Sequence, residues 1–107
     1  MPELAERSSE WSGPEIDALV DDYFAMLDEE VVGAPYNKAK HNRELRETLL
    51  LRSRGAVEFK HCNVSAILDE LGLRYLEGYK PRHNYQHLLK ERVLARLQAS
   101  RAGRYDR

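Results

Sequence analysis

Residues 52–86 have the sequence RSRGAVEFKHCNVSAILDELGLRYLEGYKPRHNYQ, in which a short apolar pattern lies between two polar clusters. The central segment, NVSAILDELG, begins with Asn63, a good helix N-cap, and ends with Gly72, a common helix stop. Its apolar residues recur at helical spacing, which predicts an amphipathic helix over residues 63–71. Packing alone does not require so many hydrogen-bonding side chains beside so few apolar ones. We therefore expect a binding surface formed by Arg52, Arg54, Lys60, His61, Lys80, Arg82, His83, Asn84, Tyr85 and Gln86.

The first helix has a complete start signal. Ser12 and Glu15 have the spacing of a capping box, with Ser12 as the N-cap. Trp11 and Ile16 occupy the two positions of a hydrophobic staple around that cap. Apolar residues then recur at helical spacing for about four turns, and acidic residues occupy the opposite side. This pattern predicts a helix over residues 14–30 with an acidic outer face.

A second, basic helix is predicted over residues 38–53. Asn37 is its expected N-cap and Gly55 its expected stop. After it, Val57 and Phe59 alternate with polar residues, as in a short strand. The sequence offers no second strand with a matching pattern, so we predict an extended connection that places both side chains in the core.

The last helix is predicted over residues 82–99, opened by Pro81, and residues 101–107 form a basic tail or linker that is expected to be unstructured. The predicted fold is therefore all-α: a single domain, residues 1–100, built as a bundle of about four helices. Its last two helices form a loosely spaced, helix-turn-helix-like pair. The expected core consists of Trp11, Ile16, Leu19, Val20, Tyr23, Phe24, Leu45, Leu49, Val57, Phe59, Ile67, Leu68, Leu71, Tyr85, Leu89 and Val93.

The charges of this chain are unevenly distributed. Residues 1–36 contain ten acids and one base, whereas residues 37–107 contain sixteen bases and eight acids, so a net charge of −1 hides segments of −9 and +8. Such a division is typical of a basic interaction face, but it is equally compatible with an acidic helix packed near basic ones. The chain has no signal-peptide pattern and no apolar run of membrane-spanning length, so we expect a cytoplasmic protein that does not bind a membrane.

Three catalytic or metal-binding patterns are incomplete. Glu58 and Lys60 match half of the E-x-K nuclease motif, but the strand that would carry a further acidic ligand is missing. His83 and His87 would share one helix face, yet the chain lacks the paired cysteines of strong zinc motifs. Cys62 lies just before a predicted helix cap and is expected to be a small packed residue. We therefore expect no enzyme activity, no metal and no cofactor.

The start of the predicted last helix favours nucleic-acid binding. Arg82, Asn84 and Gln86 would be presented from its first turns, where the residues of a recognition helix contact base edges. Arg54 and Lys60 could contact phosphates. The alternative, a polar helix start with a solvated basic rim, fits the sequence equally well, and the connection before Pro81 is longer than a standard helix-turn-helix turn.

Four motifs also carry a family resemblance: PYNKAKHN, RSRGAVEFKH, NVSAILDELG and GYKPRHNYQ, which together cover residues 35–86. This half of the chain resembles a small helical module of bacterial restriction-like proteins, where it precedes an HNH endonuclease domain or a nuclease-associated domain of the NO VEIN type. The resemblance implies a non-catalytic accessory domain of DNA-processing or defence proteins. It supplies no catalytic residues, and this sequence contains no HNH signature.

The sequence thus leads to two functional hypotheses. The first is a non-catalytic DNA-binding accessory module of a restriction or defence protein, which uses the basic polar surface around the helix at residues 63–71. The second is a protein-interaction or dimerisation module that uses the acidic first helix. DNA is the expected partner in the first case, with a homo-oligomer or a fused nuclease domain as a further partner.

Overall fold

Four helices account for the regular structure of residues 10–107, the part of the chain that this computed structural model describes. They are α1 (Gly13–Val31), α2 (Lys38–Thr48), α3 (Arg54–Glu70) and α4 (His87–Gln98). The prediction of an all-α bundle of four helices is confirmed, and residues 1–9 of the predicted domain lie outside the described part. Among the helices described here, none combines the length and the apolar character that crossing a bilayer requires.

The start of α1 is the one that the sequence predicted. The Ser12 hydroxyl accepts a hydrogen bond from the Glu15 backbone N–H at 3.3 Å, and the Glu15 carboxylate accepts one from the Ser12 N–H at 2.9 Å. Trp11 and Ile16, at the positions of the predicted hydrophobic staple, are both buried. Asn37 likewise caps α2, since its side chain accepts a hydrogen bond from the Lys40 N–H. Both caps satisfy backbone donors that the helix itself leaves without partners.

Helix α3 is longer than predicted, and this is the main correction to the sequence analysis. Its N-cap is Ser53 and its first residue is Arg54, so residues 56–62 are helical rather than extended. Gly55 belongs to its first turn and does not stop α2, which ends at Thr48. The apolar face continues from Val57 to Val64 through His61, and this polar residue at a buried position concealed the helical spacing.

The connection between α3 and α4 also differs from the prediction. Leu71 follows the last helical residue, and Gly72 then adopts a positive φ of 73°, as the sequence predicted for the helix stop. Residues 80–86 do not start a helix, because α4 begins only at His87 with Gln86 as its N-cap. The predicted recognition-helix start is therefore wrong, and these residues run instead alongside α3.

The core agrees with the prediction at most positions and differs at its edges. Phe59 and Leu71, expected inside, are 42% and 40% exposed. Leu45 and Tyr85 are only partly buried against the core. The remaining twelve predicted core residues are buried: Trp11, Ile16, Leu19, Val20, Tyr23, Phe24, Leu49, Val57, Ile67, Leu68, Leu89 and Val93. Buried residues that the prediction omitted are Met26, Leu27, Cys62, Val64, Ala66, Leu76, Tyr79 and Tyr105.

Residues 101–107, expected to be unstructured, pack against the bundle. Tyr105 is buried, its ring contacts that of Phe24 edge to face at 5.2 Å, and its hydroxyl donates a hydrogen bond to Asp28. The Arg74 backbone N–H donates to the Tyr105 carbonyl, which ties this segment to the α3–α4 connection. An aromatic anchor with a satisfied hydroxyl explains why a basic segment is held in place.

The Tyr105→Ala variant should therefore lower the free energy of unfolding by about 3 kcal/mol, because it leaves a cavity beside Phe24 and removes a hydrogen bond to Asp28. Chemical denaturation measures this loss. The matched control is Arg101→Ala in the same segment, an exposed residue whose replacement should change stability by less than about 0.5 kcal/mol. Equal stability of the two variants would show that residues 101–107 do not contribute to the core.

Candidate functional site

Arg52 was predicted as a binding residue, but its side chain makes its contacts within the protein. It is buried, and its guanidinium donates two hydrogen bonds to the Glu15 carboxylate at 2.8 and 2.9 Å. A third hydrogen bond reaches the Glu10 backbone carbonyl, and the guanidinium lies 4.8 Å from the centre of the Trp11 ring. Arg52 thus joins the α2–α3 connection to the start of α1 and is not available to a ligand.

The Arg52 hydrogen bonds have an electrostatic consequence at Glu15. They are the largest influence that lowers the pKa of this carboxyl from 4.5 to about 2. Because the folded state holds Glu15 ionised more strongly than the unfolded state does, the pair stabilises the fold above pH 4.5. This contribution is lost as the pH falls from 4.5 through about 2, where Glu15 becomes protonated in the folded state as well.

The Glu15→Gln variant tests this pair with little change in shape, because the Gln side chain still accepts the capping hydrogen bond from Ser12. We expect the variant to be less stable than the wild type at pH 7 and the difference to shrink between pH 4.5 and about 2. Urea denaturation at a series of pH values measures both. A stability difference that does not depend on pH would contradict the ion pair with Arg52.

His61, also predicted as a binding residue, lies fully inside the bundle. Its Nε2 is 3.1 Å from Asp22 Oδ2, and His41 Nδ1 is 2.7 Å from the other oxygen of the same carboxylate. The Tyr79 ring packs against the His61 ring at a centroid distance of 4.8 Å. Asp22 on α1 therefore links α2 and α3 through one histidine from each, and the role of His61 is to hold helices together.

The Asp22→Ala variant should lower the free energy of unfolding by about 1–3 kcal/mol, because a buried histidine loses its hydrogen-bond partner. The neighbouring Asp21 is the matched control, since it is exposed on the same helix and its replacement by Ala should cost less than about 0.5 kcal/mol. Thermal or chemical denaturation compares them. If Asp21→Ala destabilises as much as Asp22→Ala, the helix charge matters rather than the histidine contacts.

Five of the other predicted site residues line three different clefts. Arg54 lines a small cleft of about 110 Å³ with Glu58 and Tyr79. Lys80 lines a second, of about 400 Å³, with Arg74 and Arg107. The third has a volume of about 300 Å³, and we call it the Trp11 cleft. It is lined by Trp11, Ala56, Phe59, Lys60, Asn63, Asn84 and Gln86.

The floor of the Trp11 cleft is polar. Asn63 is buried and donates a hydrogen bond from Nδ2 to the Arg82 carbonyl at 2.6 Å, which fixes the orientation of its amide. Its Oδ1 is buried and has no hydrogen-bond partner within residues 10–107. The Lys60 ammonium lies 5.7 Å from the centre of the Trp11 ring, and burial, followed by the charge of Arg52, lowers the pKa of Lys60. The residues that line the cleft thus include a buried amide with one unpartnered acceptor, on Asn63, and a cationic donor, Lys60.

The rim of the Trp11 cleft is aromatic and cationic. The Phe59 ring is 42% exposed, and the Arg82 guanidinium lies over it at 5.5 Å from its centre. Gln86 forms part of the cleft wall. Its Oε1 accepts a hydrogen bond from the Trp11 backbone N–H, and its Nε2 donates one to the Trp11 carbonyl. Asn84 is exposed beside it. The structure therefore brings together three of the predicted residues, Lys60, Asn84 and Gln86, in one cleft, and it places a fourth, Arg82, beside the Phe59 ring of that cleft.

His83 and Tyr85 have a different role. Both bind the Glu70 carboxylate at the end of α3, His83 through Nδ1 at 2.9 Å and Tyr85 through its hydroxyl at 2.7 Å. These hydrogen bonds, from His83 first and then Tyr85, lower the pKa of Glu70. The same contact raises the pKa of Tyr85. This cluster fixes the α3–α4 connection against the C-terminal end of α3.

The residues of the catalytic and zinc patterns weighed in the sequence have different surroundings in the described part of the chain. Glu58 and Lys60 lie on one helix but line different clefts. His83 precedes α4, so it does not share a helix face with His87, and each pairs with a different glutamate. Within residues 10–107, no group of three or more His, Cys, Asp or Glu side chains is placed to hold a metal ion.

The sequence pattern did not identify four residues of the Trp11 cleft, namely Trp11, Ala56, Phe59 and Asn63. It assigned Trp11 to the core, Phe59 to the core and Asn63 to a helix cap. The signal that could have found them is the continuous helix from Arg54, because Phe59 and Asn63 are four residues apart and so share a face. Ala56, a small residue one turn earlier, leaves room for the opening.

Comparison with models of protein families, with curated proteins and with solved structures finds no match for this chain. The resemblance of residues 35–86 to the accessory module of restriction-like proteins therefore stays a prediction.

Proposed function

We propose that this chain is a non-catalytic nucleic-acid-binding module of a restriction or defence protein. The observation that carries the proposal is the convergence of Lys60, Arg82 and Asn84 with an exposed aromatic ring, Phe59, around the Trp11 cleft. Cations supply the phosphate contacts that dominate nucleic-acid affinity, and aromatic rings supply the sequence-tolerant stacking of bases. DNA is the partner that the resemblance to restriction-like proteins implies.

The pattern of ion pairs supports the same proposal. Arg52, Arg92, Arg104 and Arg107 each pair with an acidic side chain, so their charges hold the fold together. Within the described residues, Arg54, Lys80 and Arg82 form no ion pair, and all three are exposed. A further set of exposed basic residues lies on α2 at Lys40 and Arg43. These cations are available to phosphates.

Dimerisation through the acidic α1 has less support. Its carboxylates are largely engaged within the chain: Glu15 with Arg52, Asp17 with Arg92, and Asp28 with Arg104. Asp22 binds the two histidines described above. An acidic face that is already paired internally offers little charge to a partner.

Trp11 is the only tryptophan of the chain and lines the cleft, so its fluorescence reports binding directly. We expect short DNA to change this fluorescence and the logarithm of the affinity to fall linearly with the logarithm of salt concentration. Arg82→Ala should weaken binding and lower the salt slope by about one unit, as the loss of one phosphate contact does.

The control for this titration is the Arg92→Ala variant. The Arg92 guanidinium pairs with Asp17 at 2.6 Å, so its removal should leave the salt slope unchanged. Parallel titrations with duplex and single-stranded DNA determine which form binds, and DNA recovered uncut in the presence of magnesium supports a non-catalytic role. Absence of binding to both forms at low salt would refute the proposed function.

A further inference from the structure

We infer that the Trp11 cleft receives one unstacked base of the bound nucleic acid, with the base face against the Phe59–Arg82 pair and its polar edge toward Asn63 and Lys60. This inference deepens the proposed function and depends on it. Four features support it: the size of the cleft, its aromatic rim, its unpartnered acceptor and its contrast with the other two clefts.

The size and shape of the cleft suit a single flat group. Its volume of about 300 Å³ is at the lower end of small-ligand sites. A base inside a duplex stack cannot enter such an opening, because its faces are covered by its neighbours. A base of a single strand, or one displaced from a duplex, exposes both faces and its hydrogen-bonding edge.

The rim supplies a stacking surface. Phe59 directly precedes the buried residues 60–68 of α3, yet it is 42% exposed, and the Arg82 guanidinium lies 5.5 Å from the centre of its ring. Aromatic rings and arginine planes both stack on bases. A base can therefore stack on the Phe59–Arg82 pair without a rearrangement of α3.

The floor supplies a polar edge. The Arg82 carbonyl accepts a hydrogen bond from Asn63 Nδ2, which determines the orientation of the amide and leaves the buried Oδ1 without a hydrogen-bond partner within residues 10–107. A buried acceptor without a hydrogen bond destabilises the free protein, and an N–H group of a ligand would satisfy it. The Lys60 ammonium beside it can donate to a carbonyl or ring nitrogen. The Watson–Crick edge of a base carries a donor next to an acceptor, which matches this arrangement.

The two other clefts lack this combination. The cleft beside Arg54 has a volume of only about 110 Å³. The cleft beside Lys80 is larger, and beside the Tyr75 ring its lining contains three cations, Arg74, Lys80 and Arg107, against one acid, Glu77. That lining favours a phosphate rather than a base. Among the described clefts, the Trp11 cleft is thus the one that combines a stacking ring with a buried unpartnered acceptor.

The test compares two single-stranded ligands of the same length, about eight nucleotides: an oligonucleotide with bases and the same backbone made of abasic sites. Both carry the same phosphate charge, so the difference in affinity isolates the bases. The wild type, followed by Trp11 fluorescence, should bind the abasic backbone about tenfold more weakly. Phe59→Leu, which keeps an apolar side chain at an exposed position but removes the ring, should lose about tenfold on the intact oligonucleotide and nothing on the abasic one.

Leu94→Ala is the matched control, since Leu94 is another exposed apolar residue, 38% exposed on α4, and its replacement should not affect either ligand. Equal wild-type affinity for the two ligands, with salt dependence retained, would overturn the base site but leave the proposed function standing. Absence of binding to both ligands and to duplex DNA would overturn the two together. A loss caused equally by Leu94→Ala and Phe59→Leu would also overturn the base site.

Discussion

Residues 60–68 of helix α3 are buried, and neighbouring parts of the molecule supply partners for their polar side chains. Four of these residues are polar: Lys60, His61, Asn63 and Ser65. Because buried polar groups are costly without partners, each neighbouring element supplies one. The Trp11 ring lies beside Lys60, Asp22 binds His61, the Arg82 carbonyl binds Asn63, and the Tyr23 hydroxyl binds Ser65.

The same constraint builds the candidate site. The α3–α4 connection must lie along α3 in extended form to offer its carbonyl groups, and this position brings Arg82 and Asn84 beside Phe59. Trp11, in the segment before α1, lines the same cleft and is held by hydrogen bonds to Gln86 and by the Arg52 guanidinium near its ring. The Trp11 cleft is the gap that remains between these two segments, and Asn63 is only half satisfied at its floor. The buried polar side chains of α3 thus account for both the polar core and the open, polar cleft.

Electrostatics separates the cations of this protein into two groups. Those opposite α1 are paired with its carboxylates, so the acidic and basic halves of the sequence meet inside the fold, as one of the two interpretations of the charge division expected. A second group is exposed on α2, at the start of α3 and on the α3–α4 connection: Lys40, Arg43, Arg54, Lys80 and Arg82. Of these, Arg54, Lys80 and Arg82 are unpaired within residues 10–107. The basic face therefore consists of the cations that form no ion pair within the described residues, and it is smaller than the sequence suggested.

The sequence by itself determined the all-α class, the caps at Ser12 and Asn37 and the apolar face of α1, because these depend on hydrogen bonds and spacings within three or four residues. Only the tertiary structure determined the roles of Arg52, His61 and Tyr105. Their hydrogen-bond partners, Glu15, Asp22 and Asp28, lie far away in the chain. The tertiary structure also decided the start of α3, since buried polar residues interrupt the apolar pattern. A polar side chain has the same appearance in a sequence whether it meets solvent or a distant partner, and only the packing of the helices distinguishes the two.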